Sequence, residues 1–241
     1  MAAPLLRLEN TSKCYGSLLV IDNLSISLAK GEALGVLGPN GAGKTTMFNL
    51  ITGDTCPDTG RVSLGERDIT ALSPSERCWA GIGRSYQIPH PFAAMTVFEN
   101  VLVGAVFGAD MREDEAGDHV AQILNRTGMM GKANKLAGSL TLLDRKRLEL
   151  ARALATKPVV LLLDEIAGGL TDDEAHVLVE EIQSIRAEGV SIIWIEHVVH
   201  ALLSVVDRLI VINYGALLKE GKPDEVIASR EVQEVYMGIE A

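Results

Sequence analysis

The residues with the plainest chemistry are Gly38-Pro39-Asn40-Gly41-Ala42-Gly43-Lys44-Thr45-Thr46. They fit G-x-x-x-x-G-K-[ST], the phosphate-binding P-loop pattern. Chance alone would produce the four fixed positions in roughly one chain in a hundred of this size. The flanking sequence removes most of that chance. Glu32 to Leu37 reads as a short buried strand and Thr45 to Ile51 as a helix. A strand, a glycine turn and a helix N-terminus form a nest of N–H groups for an anion. The glycines permit close backbone approach. Lys44 would reach β- and γ-phosphates, and the Thr45 hydroxyl would bind Mg²⁺.

Four further residues have matching chemistry. Val159 to Leu163 is an unbroken apolar run ending in Asp164-Glu165. A carboxylate at such a strand end holds Mg²⁺, directly or through water, which is the expectation for Asp164. Glu165 is expected to orient, or accept a proton from, the water that attacks the γ-phosphate. Ser191 to Ile195 is a second buried run, followed by Glu196-His197, which places His197 beside the same phosphate. Gln87 closes a third run, where a neutral amide would ligate Mg²⁺ or hold water. The expected catalytic set is therefore Lys44, Gln87, Glu165 and His197, and the metal set Thr45, Gln87 and Asp164. Without the P-loop each has a plainer reading: a solvent-facing Asp-Glu pair, a structural histidine, a surface amide. Tyr15 sits in a turn, Lys13 to Ser17. On its own it reads as a packing or surface tyrosine.

The elements that must position these groups follow from the pattern along the chain. Residues 5–28 alternate apolar and polar residues, as an antiparallel edge sheet does. Arg61 to Leu64 and Asp68 to Thr70 read as short strands, and Ser73-Pro74 opens a short helix with Pro near its first position. Gly81 to Gln87 reads as a strand. From 88 to 144 the character changes. Pro89 and Pro91 break the chain, Thr96 to Phe107 reads as an apolar helix with Glu99 at the capping-box position, and Asp110 to Asp118 is an acidic loop or helix start. This block is expected to be a helical sub-lobe. Lys146 to Ala155 is a strong helix, and Thr171 caps another over Asp172 to Glu188. Val206 to Ile212 and Ala216 to Lys219 form a hairpin, and Lys222-Pro223 starts a terminal helix. Repeated β–α alternation behind a P-loop implies a P-loop NTPase sheet.

Composition bounds the rest. A chain of 241 residues buries a real core, and one domain with a sub-lobe is expected. The net charge of −10 argues against a nucleic-acid backbone as partner. Cys14, Cys56 and Cys78 show no C-x-x-C spacing, which suits a reducing compartment. Neither a signal peptide nor an apolar run near the ~18 residues of a membrane span is expected. A mean hydropathy of +0.20 with 4% aromatics suits a parallel sheet buried on both faces and leaves apolar surface for partners.

The order of these features resembles the ATP-binding cassette (ABC) ATPase family across nearly the whole chain. The resemblance matches Tyr15 to the adenine-stacking aromatic, Gly38 to Thr46 to the P-loop, and Gln87 to the Q-loop. Asp164 and Glu165 match the Walker B carboxylates, Gly169-Leu170-Thr171 the D-loop and His197 the switch histidine. Gly81 to Gln87, Met95 to Asn100, Arg147 to Leu154, Ile195-Glu196-His197 and the closing Val235-Tyr236-Met237-Gly238 are similar to ATPase subunits of branched-chain amino acid importers. It implies one ABC ATPase domain over 1–241, with a nucleotide-binding core of about 1–87 and 145–241 and the sub-lobe over about 88–144. It also implies ATP and Mg²⁺ as ligands, a second ATPase subunit, separate transmembrane permease subunits and, indirectly, a solute-binding protein. The place implied is the cytoplasmic face of a bacterial inner membrane, with no nucleic acid involved. One stretch departs from the family. Where Leu-Ser-Gly-Gly-Gln is expected, this chain has Leu140-Thr141-Leu142-Leu143-Asp144. Leucines replace both glycines, and Asp144 brings negative charge toward an anion site. A heterodimer with two unequal sites is the expectation, a homodimer the other option. The rival functions are a soluble ABC ATPase outside transport and a non-catalytic nucleotide-binding regulator.

Overall fold

The structure, a computed structural model, describes residues 3–237, so Gly238 of the closing stretch lies outside the described residues. Two sheets organise it. The first is antiparallel, in the order β2 (Leu18–Leu28), β1 (Leu6–Tyr15), β4 (Thr59–Leu64), β5 (Arg67–Asp68). The second has the order β10 (Ala216–Gly221), β9 (Arg208–Asn213), β3 (Ala33–Leu37), β8 (Ser191–Ile195), β7 (Val160–Asp164), β6 (Ile82–Ser85). It is parallel throughout except where β10 turns back on β9.

The unbroken apolar runs explain why this second sheet is central. Successive side chains of a strand point to opposite faces. Val160 and Leu162 of β7, Ile193 and Ile195 of β8, and Ile210 and Ile212 of β9 enter one core, shared with the antiparallel sheet and α1 (Lys44–Thr52). Leu161 and Leu163, Ile192 and Trp194, Leu209 and Val211 enter the other. That second core is closed by α3 (Val97–Val103), α4 (Glu113–Arg126), α5 (Leu142–Ala155) and α6 (Asp172–Ala187). A sheet buried on both faces has no solvent side, and so shows no alternation.

The caps fall where the sequence puts them. Ser73 and Thr96 each form a reciprocal capping box with the glutamate three residues on, starting α2 (Pro74–Trp79) and α3. Thr171 does the same for α6 with Glu174. Three boundaries differ from the sequence pattern. Beyond Val103 the α3 helix widens into a π turn, Gly104–Gly108, bracketed by two residues of weak helix propensity. Asp110 to Asp118 resolves into a short loop and the start of α4 at Glu113. The charged helix starts at Leu142, not Lys146, because Thr141 is its N-cap and accepts from the Asp144 N–H at 3.3 Å. The chain closes with α7 (Val199–Leu203), α8 (Pro223–Ile227) and α9 (Arg230–Met237). Among the described residues no helix is long and apolar enough to cross a membrane.

Candidate nucleotide site

Four strands deliver the candidate residues. β3, β6, β7 and β8 run parallel, so their C-terminal ends share one edge of the sheet. Ligands bind outside that edge in open α/β sheets. There β3 hands over to the Gly38–Thr46 loop, β7 ends at Asp164, β8 stops just before Glu196-His197, and β6 ends two residues before Gln87.

The loop is shaped for an anion. Helix α1 follows at once, and its N-terminal N–H groups have no side-chain cap. Uncapped N–H groups at a helix N-terminus attract negative charge. Gly43 takes φ +101°, and a Cβ there would lie 2.7 Å from the Val20 carbonyl. Gly41, at φ +79°, has nothing within 4 Å of its would-be Cβ, so it faces open space. One glycine is thus required by the chain's own packing, the other by a left-handed turn on the open side. Lys44 is buried, and its Nζ donates to the carbonyls of Gly38 (2.6 Å) and Pro39 (3.0 Å). Burial pulls its ammonium below the usual lysine range, and the carboxylates of Glu165 and Asp164 act against that.

The hydrolytic residues converge on the same cleft. Val20, Asn40 to Thr46, Gln87, Glu165 and His197 line it, around a volume of about 440 Å³. His197 Nε2 lies 2.8 Å from Glu165 Oε1. Gln87 Nε2 donates a short hydrogen bond to Glu165 Oε2. Glu165 adopts φ +46°, a left-handed backbone that costs a non-glycine residue on the order of 1–3 kcal/mol. Its N–H donates to Ile195 O at 2.8 Å, and its carbonyl accepts from Gly168 at 3.1 Å, so β8 and the 165–170 turn hold that conformation. Asp164 lies deeper. Burial pushes its carboxyl above the usual range, against the hydrogen bond and charge of Arg84. Tyr15 is outside the residues that line the cleft. It is half exposed at the end of β1, with its hydroxyl 3.2 Å from Thr55 Oγ1.

The ABC transporter family profile matches residues 21–168, more than half of the chain. The chain belongs to the ABC transporter family. This cassette is 35% identical to the high-affinity branched-chain amino acid transport ATP-binding protein LivG of Salmonella typhimurium, over 99% of each chain. It is 33% identical to the probable LivG of Methanocaldococcus jannaschii, over 97% of each. At 34%, also over 97% of each, it matches the lipopolysaccharide export ATP-binding protein LptB of Acidithiobacillus ferridurans. Among solved structures, a nucleotide-free ATP-binding cassette from an ABC transporter superposes with a TM-score of 0.91 at 32% identity, covering 98% of this chain and all of that one. A cassette in its ADP conformation gives the same score and identity over 99% of this chain and all of that one. The family is one of ATPases coupled to transport, and the cassette is accordingly an ATPase.

The departing loop looks different in three dimensions. The sequence sets Asp144 against an anion. The structure pairs it with Lys132, whose Nζ lies 2.5 and 2.6 Å from the two carboxylate oxygens, and buries it. Asp144 is therefore no free negative charge at the helix N-terminus. What the first turn of α5 presents instead is Leu142, 45% exposed.

Several residues of this site carry no local signal. Arg84 donates to Asp164 Oδ2 at 2.8 Å. Lys146, buried, donates to Glu165 O at 3.0 Å and Gln87 O at 3.4 Å, so α5 ties the two loops together. Burial lowers its ammonium despite nearby Glu196, Glu165 and Asp164. Glu196 accepts from the N–H groups of Ala167, His197 and Val198 and from Trp194 Nε1. It therefore fixes the turn after Glu165 to the base of His197.

Burial raises the Glu196 carboxyl above its ordinary value in spite of those four donors. The folded chain then holds that proton to higher pH than the unfolded chain. Stability present below the ordinary carboxylate range is lost as pH rises through the raised value. A glutamine has no proton to lose. Glu196→Gln should therefore gain on the parent in denaturant midpoint as pH rises from the ordinary carboxylate range through the raised Glu196 value. A difference that stays flat would mean that the four donors cancel the burial.

Proposed function

We propose that this cassette is the ATP-hydrolysing subunit of an importer for branched-chain amino acids, or for related small amino acids or amides. It works at the cytoplasmic face of a bacterial inner membrane, as a peripheral subunit. The observation that carries the mechanism is the convergence of Gln87, Glu165 and His197 on the cleft of the Gly38–Thr46 loop. Gly38, Pro39, Asn40, Gly41, Ala42, Gly43, Lys44, Thr45 and Thr46 cradle the phosphates, and Tyr15 meets the adenine. Glu165 takes the proton of the attacking water, His197 and Gln87 hold Glu165 and that water in place, and Lys44 balances phosphate charge.

Thr45, Gln87 and Asp164 are the residues for Mg²⁺. Gln87 gives its amide N–H to Glu165 and keeps its oxygen. Asp164 gives Oδ2 to Arg84 and keeps Oδ1. Oxygen donors of this kind suit a hard cation. Among the described residues no group of three His, Cys, Asp or Glu is placed to hold a metal ion by itself, so phosphate and water oxygens would complete the set. When bound, the ion would neutralise charge on the phosphate oxygens.

The partners are a second ATPase subunit and separate permease subunits, with a solute-binding protein acting through the latter. The solute rests on the printed names of the relatives. An export subunit is as similar as the import subunits, so direction of transport is part of the proposal. Leu142 on the first turn of α5 favours unequal sites in a heterodimer over a homodimer.

The sub-lobe, about 88–144, carries motion to the permease. Ile88 and Phe92 are exposed and Met95 is half-buried. The loop that bears them is pinned: Glu149 accepts from the His90 N–H at 2.9 Å, Arg152 donates to the His90 carbonyl at 3.0 Å, and Asn100 holds Phe92. Phe92→Glu is expected to leave ATP turnover of the purified chain intact and abolish solute uptake by cells. Normal uptake with a folded variant would remove this contact.

A further inference from the structure

Arg84 sits on β6, the edge strand of the parallel sheet, yet only 6% of its side chain is exposed. Its guanidinium is held from three sides. Nη1 donates to Asn49 Oδ1 of α1 at 2.7 Å and lies 3.6 Å from Asp54 Oδ2. The planar group stacks between Phe48 of α1, 5.4 Å to the ring centre, and Tyr86, 4.8 Å. Nη2 donates to Asp164 Oδ2 at 2.8 Å. A fork fixed in this way leaves the carboxylate little freedom to rotate. Oδ2 is committed to Arg84, and Oδ1 is the oxygen left for the cleft.

We infer that Arg84 is the positioning residue of the metal-binding carboxylate, and that through Tyr86 it locks Asp164 to the segment bearing Gln87. This rests on the reading of Asp164 as a Mg²⁺ ligand. An arginine serving only to stabilise the fold needs no particular acid. This one is bonded to the carboxylate at the catalytic edge of the sheet, and its stacking partner Tyr86 adjoins Gln87, the other proposed metal ligand contributed from this side. Groups that hydrogen-bond a coordinating carboxylate typically change metal affinity 10–100-fold when removed. Lysine keeps the charge but neither stacks as a plane nor spans two acceptors.

The test uses Mn²⁺ as the spectroscopic probe, titrated into the full chain saturated with ADP and followed by electron paramagnetic resonance. Arg84→Met is expected to weaken Mn²⁺ binding about tenfold or more, with ADP affinity in EDTA unchanged. Arg84→Lys is expected to fall between Arg84→Met and the parent, and it decides the matter if Arg84→Met does not fold. Asp164→Asn separates the two layers. If Asp164→Asn weakens Mn²⁺ and the Arg84 variants bind it like the parent, the inference is overturned and the Asp164 reading stands. If Asp164→Asn binds Mn²⁺ like the parent, the metal role of Asp164 fails and takes the inference with it. Arg84 variants that lose metal-free ADP binding to the same extent as Mn²⁺ would show support of the fold alone, which also overturns it.

Discussion

Glu165→Gln is expected to bind ATP as the parent does and to lose hydrolysis by a factor of about 10²–10⁴. The change keeps the side-chain length and removes one proton acceptor. In the structure the Glu165 carboxylate has Gln87 Nε2 on one oxygen and His197 Nε2 on the other. An amide satisfies only one of those donors with its oxygen, so both the base and its geometry are lost. The phosphate-binding parts, Lys44 and the α1 N-terminus, do not touch the substituted atom. Phosphate release under saturating ATP, alongside a direct ATP titration, measures the two effects separately. Turnover that persists in the variant would exclude Glu165 as base. The same variant tests the proposed asymmetry. Run alone with Mg-ATP on a sizing column, it is expected to stay monomeric, because the α5 first turn presents Leu142 where close backbone approach would be needed. A dimer that appears only with ATP would show that Leu140 to Asp144 still clasps nucleotide.

Arg77→Met is expected to cost on the order of 4 kcal/mol of stability, from the orphaned partners of a buried group. Arg77 lies on α2 and is fully buried. Its Nη1 donates to Leu50 O (2.5 Å) and Ile51 O (3.0 Å), the closing carbonyls of α1. Nη2 donates to Thr70 O at 2.7 Å and Nε to Leu72 O at 3.1 Å. A helix leaves its last carbonyls without internal partners, and here one guanidinium serves those of α1 from another element. Methionine fills the space and strands four acceptors at once. The expected loss appears in the urea midpoint. Nucleotide affinity, measured where the variant is still folded, is expected to change little, since Arg77 acts at the far end of α1 from the P-loop. A midpoint within error of the parent would mean that water replaces the guanidinium.

The elements around the site follow from local pattern. Unbroken apolar runs give β7 and β8, and Ser73, Thr96 and Thr171 give three helix starts, because period and caps act over a few residues. The Gly38–Thr46 loop with its strand and helix is local too. The chain alone therefore determines a P-loop sheet with a carboxylate pair and a histidine at its edges, and the ABC family. Tertiary structure alone decides which of those groups meet. Glu165, Gln87 and His197 come together because three separately read strands turn out parallel and adjacent. Asp144 illustrates the limit: its charge is plain in sequence, but its partner Lys132 is on another turn, and only folding brings the two together and buries Asp144. Arg77, Arg84, Lys146 and Glu196 look like ordinary surface charges, since a single charged residue on a helix, on a strand or just after one carries no local sign of burial. Each has at least one partner far along the chain, Leu50 and Ile51 for Arg77, Asp164 for Arg84, Gln87 for Lys146 and Ala167 for Glu196, and a buried charge is tolerated only where such partners converge.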